Sequence, residues 1–399
     1  MAPVLPCVPN APDVAVIVPT FERPAHLRRT LASIDAQVGN QAIEVVVTDD
    51  GSTGETSEVV REYAKSCPFP VSFVTHQHAG FQLARCRNEG VAASRAEYLI
   101  FIDGDCVIPP DFVREHLRRR RRGIVLSSDV ARLPKDASER LTLDRIAAGD
   151  IRKLIPIRER LRLRWSRTKA RFYELTRHPR KPRLFGGANS LWRADYLAVN
   201  GYDENFTGWG AEDDDLRDRL KRCGIRIRST PPHVAPLHLW HPPHATNPAS
   251  WRDGNNVQYL LRPGKLRRCV RGFRKLERSE VLVRVLRVEI GADELAVLPT
   301  SYRYVPLNGS GHADVEIALF PGTSRFTNHA DCRVLLILGP SVSAAEPLET
   351  QADYVVRPPA NETPGTRVWS PRSELEKILD HVCGFRLQHD RAGGTAEAA

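Results

Sequence analysis

The chain is 399 residues long, which predicts two or three domains at roughly 150 residues each. Apolar residues make up 41% and charged residues 27% of the sequence, which excludes a wholly disordered chain, a collagen-like repeat and a disulfide-stapled mini-protein. The formal net charge of +10 suits a polyanionic partner, an acidic membrane face or a phosphorylated ligand. No uninterrupted apolar stretch approaches the roughly 18 residues that predict a membrane-spanning helix.

The cysteines and the N-terminus indicate the cellular setting. The eight cysteines show neither a CxxC pair nor a zinc-ligand spacing, which favours buried free thiols in a reducing cytoplasm. Residues 1–13 form an N-terminal leader that has neither the basic nor the apolar region of a secretion signal. We therefore expect a cytoplasmic protein, and its positive charge leaves peripheral contact with the inner membrane face open.

Short apolar strands alternate with helical segments at the start of the chain. Strands are predicted at 14–18, 43–47, 71–74 and 98–102, and helices at 24–36, 54–64 and 83–93. Strands separated by helices form βαβ units with right-handed crossovers, so we expect a parallel sheet. Ligands of such sheets bind at the carboxyl ends of the strands, where the polar clusters of this sequence fall.

Residues 114–183 differ in composition from what precedes them. They include five consecutive arginines at 118–122 and a run dense in Arg and Lys at 152–183. We interpret the segment as a basic helical insert. Its basic face is either solvated or in contact with an anionic acceptor or a membrane surface.

The remaining sequence predicts a division near residue 261. Residues 14–261 are assigned to one α/β domain, and the basic stretch 262–279 to a linker. Residues 280–390 predict a smaller β-rich or α/β domain of unknown role, before a disordered tail at 391–399. Its predicted strands are 281–289, 294–297, 314–320, 334–338 and 354–356, and its predicted helix is 373–381.

Acidic residues follow two of the predicted strands. Asp103 and Asp105 come directly after the fourth strand, where two carboxylates one residue apart can reach a divalent cation and its diphosphate. Asp50 follows the second strand and can accept the imide N–H of a pyrimidine, while Gly51 allows a tight turn beneath a nucleotide. The structural alternatives are solvated turn acids and a helix cap at Asp49 or Asp50.

Two further motifs follow the basic segment. Residues 208–215 read Gly-Trp-Gly-Ala-Glu-Asp-Asp-Asp, and such crowded acids repel one another, so one can have the raised pKa of a general base. Trp209 offers an aromatic face for stacking on a sugar ring. His238 and His241 can add nitrogen ligands to a cation already held by Asp105.

In this order the motifs resemble those of the GT-A glycosyltransferases. Residues 14–258 are similar to family 2 in their first half and to the β-1,4-galactosyltransferase type of segment in their second half, whereas 262–399 are not covered. The motifs that carry the resemblance are Val18-Pro19-Thr20, Asp49-Asp50-Gly51-Ser52, Arg87-Asn88-Glu89-Gly90, Asp103-Gly104-Asp105, Phe185–Asn189, Gly208–Asp215 and the two histidines. The resemblance implies a Rossmann-like GT-A fold, with a mostly parallel sheet and flanking helices.

The resemblance also implies a site for a nucleotide-sugar donor. Asp50 would bind the base, and the nucleoside would lie against the turn at Pro19 and Thr20. The other residues implied in donor binding are Glu22, Arg85, Arg87, Asp103, Asp105, Gly187 and Trp209. The cation would be Mn²⁺ or Mg²⁺, held by Asp105, His238 and His241, with a histidine where that pattern often has a thioether.

The implied reaction is inverting transfer of a sugar from a nucleotide diphosphate sugar, by family habit a UDP-sugar, to an acceptor hydroxyl. Asp213 would be the general base, and Glu212 would contact acceptor or donor. The acceptor stays open among a saccharide, a lipid-linked saccharide, a natural product and a peptide, as do the sugar and the oligomeric state.

Other functions remain as alternatives. A retaining glycosyltransferase, a nucleotidyltransferase and a binding-only protein are compatible with the same type of sheet. A basic nucleic-acid-binding protein is less favoured, because it does not explain acids at strand ends and the sequence lacks interleaved aromatics or a recognisable binding module. We therefore expect no nucleic-acid partner.

Overall fold

Two units make up the chain, Met1–Val257 and Gln258–Ala399. The computed structural model describes residues 11–242, 254, 256–286, 296–305, 311–320, 323, 325–327, 329–338, 345–357 and 370–385. Residues 1–10 of the predicted leader and the predicted tail at 391–399 lie outside this described part.

The first unit contains two β-sheets and flanking helices. Its strands are β1 (Val14–Thr20), β2 (Ile43–Asp49), β3 (Val71–Thr75), β4 (Tyr98–Ile102), β5 (Cys106–Val107), β6 (Ile124–Ser127), β7 (Ala131–Arg132), β8 (Ala188–Trp192), β9 (Arg226–Ser229) and β10 (Leu237–His238). Its helices are α1 (Pro24–Asp35), α2 (Thr56–Ser66), α3 (Leu83–Ala93), α4 (Phe112–Arg119), α5 (Lys135–Glu139), α6 (Leu143–Ala147), α7 (Ile157–Leu175), α8 (Arg193–Ala198) and α9 (Glu212–Arg222). α10 (Val257–Leu261) begins at the last residue of this unit.

The larger sheet has seven strands in the order β3-β2-β1-β4-β8-β6-β9. Neighbouring strands are parallel, except that β8 runs antiparallel to both β4 and β6. Every residue of β1, β2 and β4 is buried, as expected for parallel strands covered on both faces. The predicted α/β class with a mostly parallel central sheet is confirmed, and the carboxyl ends of these strands form one edge.

The smaller sheet positions a sequence-distant segment beside this edge. Its order is β5-β10-β7, with β10 antiparallel to β5 and parallel to β7. The register pairs His238 with Cys106, the residue that follows Asp105. Strand pairing therefore brings the two-histidine motif to the end of β4.

The structure corrects the prediction of a helical insert at 114–183. The segment contains β6, which lies in the central sheet between β8 and β9 and is buried throughout. A four-residue strand between arginine-rich flanks is too short to show a periodicity in the sequence. The long basic helix of the segment is α7 alone.

The second unit is an α/β domain with a parallel sheet. Its strands β11 (Leu282–Val285), β12 (Arg303–Val305), β13 (Ala313–Phe320), β14 (Ala330–Ile337) and β15 (Tyr354–Val356) pair in the order β12-β11-β13-β14-β15. All four strand pairs are parallel. Its helices include α11 (Glu346–Glu349) and α12 (Pro371–Cys383).

The prediction of a linker at 262–279 is wrong, because this stretch belongs to the second unit. Leu266 and Val270 are buried in that unit's hydrophobic core, so a basic and Gly/Pro-containing composition does not mark a solvated connection here. The predicted strand at 294–297 is also not found in the described part, where residue 296 is helical. Residues 287–289 and 294–295 of the predicted strands lie outside the described residues.

The described chain shows neither a spanning helix nor a disulfide. No helix in the described ranges is long and apolar enough to cross a membrane. The seven cysteines that can be located there are free thiols, and five of them are buried.

Candidate functional site

The candidate site begins where β4 ends, at the Asp-x-Asp loop (residues 103–105). The backbone N–H of Gly104 donates to the carbonyl of Pro19 at 2.9 Å. A Cβ at position 104 would lie 2.8 Å from that oxygen, so glycine is required for this approach. The β1 turn at Pro19 and Thr20 therefore packs directly against the Asp-x-Asp loop.

Asp105 is surrounded by basic side chains. Its Oδ2 accepts a hydrogen bond from Arg23 Nη1 at 2.9 Å and lies 3.1 Å from His241 Nε2. Its Oδ1 lies 3.6 Å from His238 Nε2. One ligand atom from each of Asp105, His238 and His241 lies within 4.8 Å of the others, and we call these three residues the cation cluster.

The electrostatics of the cation cluster favour an ionised carboxylate. Burial alone would raise the pKa of Asp105, but the hydrogen bond with His241 and the positive charges around it outweigh burial and hold that pKa well below its usual range. The same hydrogen bond raises the pKa of His241. A proton on His241 Nε2 and a divalent cation would compete for that nitrogen, because a metal-bound imidazole nitrogen must be deprotonated.

A second group of side chains meets at Arg87, whose side chain is only 1% exposed. Its Nη2 donates to Asp103 Oδ1 at 3.1 Å, and its Nη1 donates to Asp213 Oδ1 at 3.0 Å and reaches Glu212 Oε1 at 3.4 Å. Its Cζ lies 4.8 Å from the ring centre of Tyr202. This Arg87 cluster (Arg87, Asp103, Glu212 and Asp213) joins the end of β4 to the start of α9.

Two glycines allow the backbone to approach the acids of this cluster. The N–H of Gly186 donates to Asp213 Oδ2 at 3.1 Å, and a Cβ on Gly186 would lie 2.1 Å from Asp213 Oδ1. A Cβ on Gly187 would lie 2.2 Å from Asp103 Oδ2. Tyr202 donates its hydroxyl proton to Asp213 Oδ1 at 3.1 Å. Asp213 is thus fixed from two sides and still keeps 28% of its side chain exposed.

Crowded carboxylates change the protonation of the Arg87 cluster. Burial, followed by the charge of Asp213, raises the pKa of Glu212 to about 8, although Arg87 opposes the shift. Burial also raises the pKa of Asp213 and of Asp103, again against the influence of Arg87. Glu212 therefore holds a proton at neutral pH.

Asp50 lies in a third group of side chains and is nearly inaccessible, with 4% of its side chain exposed. Its Oδ1 is 2.9 Å from His76 Nε2, and its Oδ2 accepts from the N–H of Gln82 at 2.9 Å. The other ring nitrogen of His76 is 2.8 Å from Glu89 Oε2, and Glu89 Oε1 accepts from Arg85 Nε at 2.8 Å. His76 therefore lies between two carboxylates.

Asp50, His76 and Cys86 form a second set of donor atoms within 4.8 Å of one another. Burial raises the pKa of the Cys86 thiol far above its usual range, which disfavours the thiolate that a metal ion needs. Both nitrogens of His76 already face carboxylates. The carboxylate and two imidazoles of the cation cluster are therefore the better fit to a divalent cation.

Glu22 joins two loops at the sheet edge. Its Oε1 accepts from both the N–H and the hydroxyl of Thr53, at 2.6 and 2.9 Å, while its own N–H donates to the hydroxyl of Ser52 at 2.8 Å. Phe21 stacks on the ring of His78 at a centroid distance of 4.3 Å. Side chains therefore hold the loop after β1 both to the loop after β2 and to the loop after β3.

The structure places the residues that the sequence singled out in three adjoining groups. The members are Asp105, His238 and His241; then Arg87, Asp103, Gly187, Glu212 and Asp213; and finally Asp50 with Arg85. Pro19 and Thr20 lie between the first and third groups, since Gly104 donates to Pro19 and Asp50 N–H donates to the carbonyl of Thr20 at 3.0 Å. Trp209 is exposed and lies between two glycines with positive φ.

Sequence reasoning missed four side chains that contact these groups. His76 directly follows β3 and Arg23 is the third residue after β1, so the rule that sites form at strand ends is a usable signal for both. Glu89 belongs to the motif at 87–90, but the sequence assigns it no role of its own. Nothing in the sequence pattern marked Tyr202, which contacts Asp213 only because the fold brings its loop to α9.

The first unit is similar to two families of known proteins. Residues 15–175 match glycosyl transferase family 2. Residues 167–242 match a second family, described as the N-terminal domain of galactosyltransferase. The first unit is therefore similar to family 2 glycosyltransferases over 15–175 and to a galactosyltransferase segment over 167–242.

Two curated enzymes are among the proteins similar to this chain. Validoxylamine A glucosyltransferase of Streptomyces hygroscopicus subsp. limoneus is 30% identical over 241 residues, covering 56% of this chain and 51% of that protein. Chondroitin synthase of Escherichia coli is 28% identical over 294 residues, covering 69% of this chain and 42% of that protein. The chain spans about half the length of the curated relatives it matches first.

Among solved structures, the mannosyltransferase PcManGT of Pyrobaculum calidifontis, in complex with GDP-Man and Mn²⁺, is similar to this chain. The TM-score is 0.41 at 19% identity, covering 61% of this chain and 59% of that one.

The raised pKa of Glu212 predicts a pH-dependent effect on stability. Between its ordinary value of 4.5 and about 8, the unfolded chain loses this proton while the folded chain keeps it. Glu212 therefore favours the folded state most below pH 4.5, and progressively less as the pH rises to about 8. Because glutamine does not ionise, Glu212→Gln should gain stability relative to the parent chain by about 1 kcal/mol per pH unit across this window.

Urea unfolding of both chains at several pH values across this window measures the effect. Glu62→Gln, which alters a half-exposed carboxylate, is the matched control and should show no such trend. A constant difference between Glu212→Gln and the parent chain would contradict a proton held by Glu212.

Proposed function

We propose that the chain is an inverting, metal-dependent glycosyltransferase that moves a sugar from a UDP-sugar to an acceptor hydroxyl, with Asp213 as general base. The observation that carries the proposal is the bridge made by Arg87. Its guanidinium links Asp213 to Asp103, two residues before Asp105 of the cation cluster. Arg87 thereby connects the proposed base to the loop that carries the proposed cation ligand Asp105.

We place the leaving diphosphate of the donor at the cation cluster. Asp105, His238 and His241 would hold Mn²⁺ or Mg²⁺, since their ligand atoms lie within 4.8 Å of one another. A bound divalent cation offsets the charge that develops on a leaving diphosphate. Arg23, which donates to Asp105, adds a second positive charge at the same place.

Asp213 is the proposed base because it combines exposure with a fixed orientation. Tyr202 and the N–H of Gly186 hold its two oxygens, and burial raises its pKa, which makes its carboxylate a stronger base. Glu212 is unsuited to the role, since it is buried and already holds a proton at neutral pH. Removing the acceptor's proton as it attacks the anomeric carbon gives one displacement and inversion of configuration.

The Asp50 group is the proposed site of the nucleotide base. The second lone pairs of the Asp50 oxygens can accept the imide N–H of uracil, while His76 and Gln82 hold the carboxylate in place. The loops joined by Glu22 would lie along the nucleoside. Exposed Trp209 is proposed to stack on the sugar of donor or acceptor.

A screen of UDP-, GDP- and dTDP-sugars with Mn²⁺ tests the proposal directly. We expect Mn²⁺-dependent release of UDP from one UDP-sugar without acceptor, and an inverted anomeric centre in the transferred product by NMR. Release of pyrophosphate would indicate a nucleotidyltransferase, and a retained configuration would overturn the single displacement.

Asp213→Asn should remove the base and leave donor binding intact. We expect kcat to fall by a factor of about 10²–10⁴, the usual contribution of general-base assistance. The matched control is Asp214→Asn, one residue along α9, where the carboxylate pairs with Arg217 instead of Arg87. Calorimetric titration with UDP checks donor binding. Turnover by Asp213→Asn comparable with that of Asp214→Asn would exclude Asp213 as the base.

Direct titration of Mn²⁺ locates the cation. The double variant H238A/H241A should weaken Mn²⁺ binding by at least about tenfold, because two of the three ligands are gone. His76→Ala removes a histidine from the alternative set of donors and should leave binding unchanged. Loss of Mn²⁺ binding in His76→Ala alone would place the metal at Asp50 and refute the assignment.

A further inference from the structure

Helix α7 exposes large apolar side chains along one side. Ile157, Leu161, Trp165, Phe172 and Leu175, which we call the apolar stripe, are each between 59% and 84% exposed. At about 100° per residue, these five positions and Thr168 fall within one sector of about 80°. A surface helix of a globular protein normally packs such an apolar sector against the hydrophobic core of the protein.

Basic side chains border the apolar stripe on both sides. Arg160, Arg164 and Arg171 lie along one edge of the sector, and Arg158 and Lys169 lie along the other, all of them exposed. The ammonium of Lys169 is 4.8 Å from the ring centre of Trp165, so the charge and the aromatic ring form one surface.

The acids of α7 lie on its opposite side, where they hold the helix to the protein. Glu159 accepts from the backbone N–H of Arg132 in β7 at 3.1 Å, and Glu174 accepts from the N–H of Ser229 in β9 at 2.8 Å. Leu163 is buried on this side. The outer face of α7 thus presents apolar and positive groups, and its two carboxylates are used internally.

We propose that this face of α7 docks on an anionic lipid bilayer, with the apolar stripe in the acyl boundary and the flanking cations at the headgroups. A helix of this kind lies in the interface plane, where buried apolar area and attraction to anionic lipid add together. The positive charge beside the apolar stripe favours an anionic bilayer over a second copy of the chain or a nucleic acid. A second copy docked stripe to stripe by two-fold symmetry would bring like-charged rows together, and a nucleic acid offers no hydrocarbon for the stripe.

The docking does not depend on the proposed transfer reaction, but it would orient the site. Glu159 fixes α7 to β7, and β7 pairs with β10 so that Arg132 is opposite His238. A bilayer bound at α7 would therefore hold the cation cluster in a constant orientation to the membrane, an arrangement that suits a lipid-linked acceptor.

Co-sedimentation of the full chain with vesicles tests the proposal. We expect binding to vesicles of phosphatidylcholine with phosphatidylglycerol, much weaker binding to phosphatidylcholine alone, and a loss of affinity with added salt. The variant L161E/W165E should abolish binding, whereas Leu197→Glu, at an exposed leucine on α8, should not change it.

Two further sets of variants separate the contribution of the flanking arginines from the insertion of Trp165. R164Q/R171Q should lose about fivefold in affinity per arginine for anionic vesicles, whereas R61Q/R140Q, at exposed arginines within α2 and directly after α5, should lose little. Trp165→Phe should keep binding but lose the blue shift of tryptophan fluorescence that the parent chain shows with vesicles. Circular dichroism verifies that each variant is folded.

Three results would overturn the proposal. One is failure of the parent chain to bind either kind of vesicle. Another is equal binding by L161E/W165E and the parent chain. The third is a concentration-dependent dimer that L161E/W165E abolishes while lipid has no effect, which would make a second copy the occupant of the apolar stripe.

Discussion

The candidate site depends on a single buried guanidinium. Arg87 faces Asp103, Glu212 and Asp213 at once, so three carboxylates share one positive charge, and both the guanidinium and Glu212 are buried. Full ionisation would leave two uncompensated negative charges, and buried charges are costly unless paired. The cluster therefore keeps a proton, which is why the pKa of Glu212 is raised to about 8. Removing Arg87 would cost more than one ion pair, because nothing else joins the ends of β4 and α9 by charge within this cluster.

The residues that follow Arg87 on α3 extend the same organisation. Asn88 donates to the carbonyl of Tyr202 at 2.9 Å and accepts from the Tyr202 N–H at 3.0 Å, so the loop that carries this tyrosine is fixed against α3. Glu89 faces His76 and, through it, Asp50. Three consecutive residues of α3, 87–89, thus contact the acidic motif, the loop that carries Tyr202 and the group proposed to bind the nucleotide base. Successive side chains on a helix point about 100° apart, so three consecutive residues can contact three different parts of the structure.

The sequence predicted the alternation of elements and the edge at which the polar residues meet, because both follow from local patterns. The strand at 98–102 and the helix at 83–93 agree with the structure residue for residue. It did not predict β6, whose four residues join the central sheet by pairing with distant β8 and β9. Nor did it show that Arg87 is buried among acids, since an arginine in the first turns of α3 is equally compatible with a solvent-facing phosphate ligand. The register of β10 against β5 also depends on the tertiary structure and could not be predicted from local patterns. This register places His238 beside Asp105.

Helix α7 shows why burial cannot be read from periodicity. Its large apolar residues recur at intervals of three, four and seven, the spacing by which a core-facing helix is recognised. In the structure, however, the side of α7 that meets the protein is polar as well as apolar, with Glu159 and Glu174 bonded to backbone N–H groups of β7 and β9. Carboxylates placed there satisfy the edge strands and at the same time remove negative charge from the outer face. The basic character of the segment is thereby concentrated where the apolar residues are exposed, and neither composition nor spacing alone contains that information.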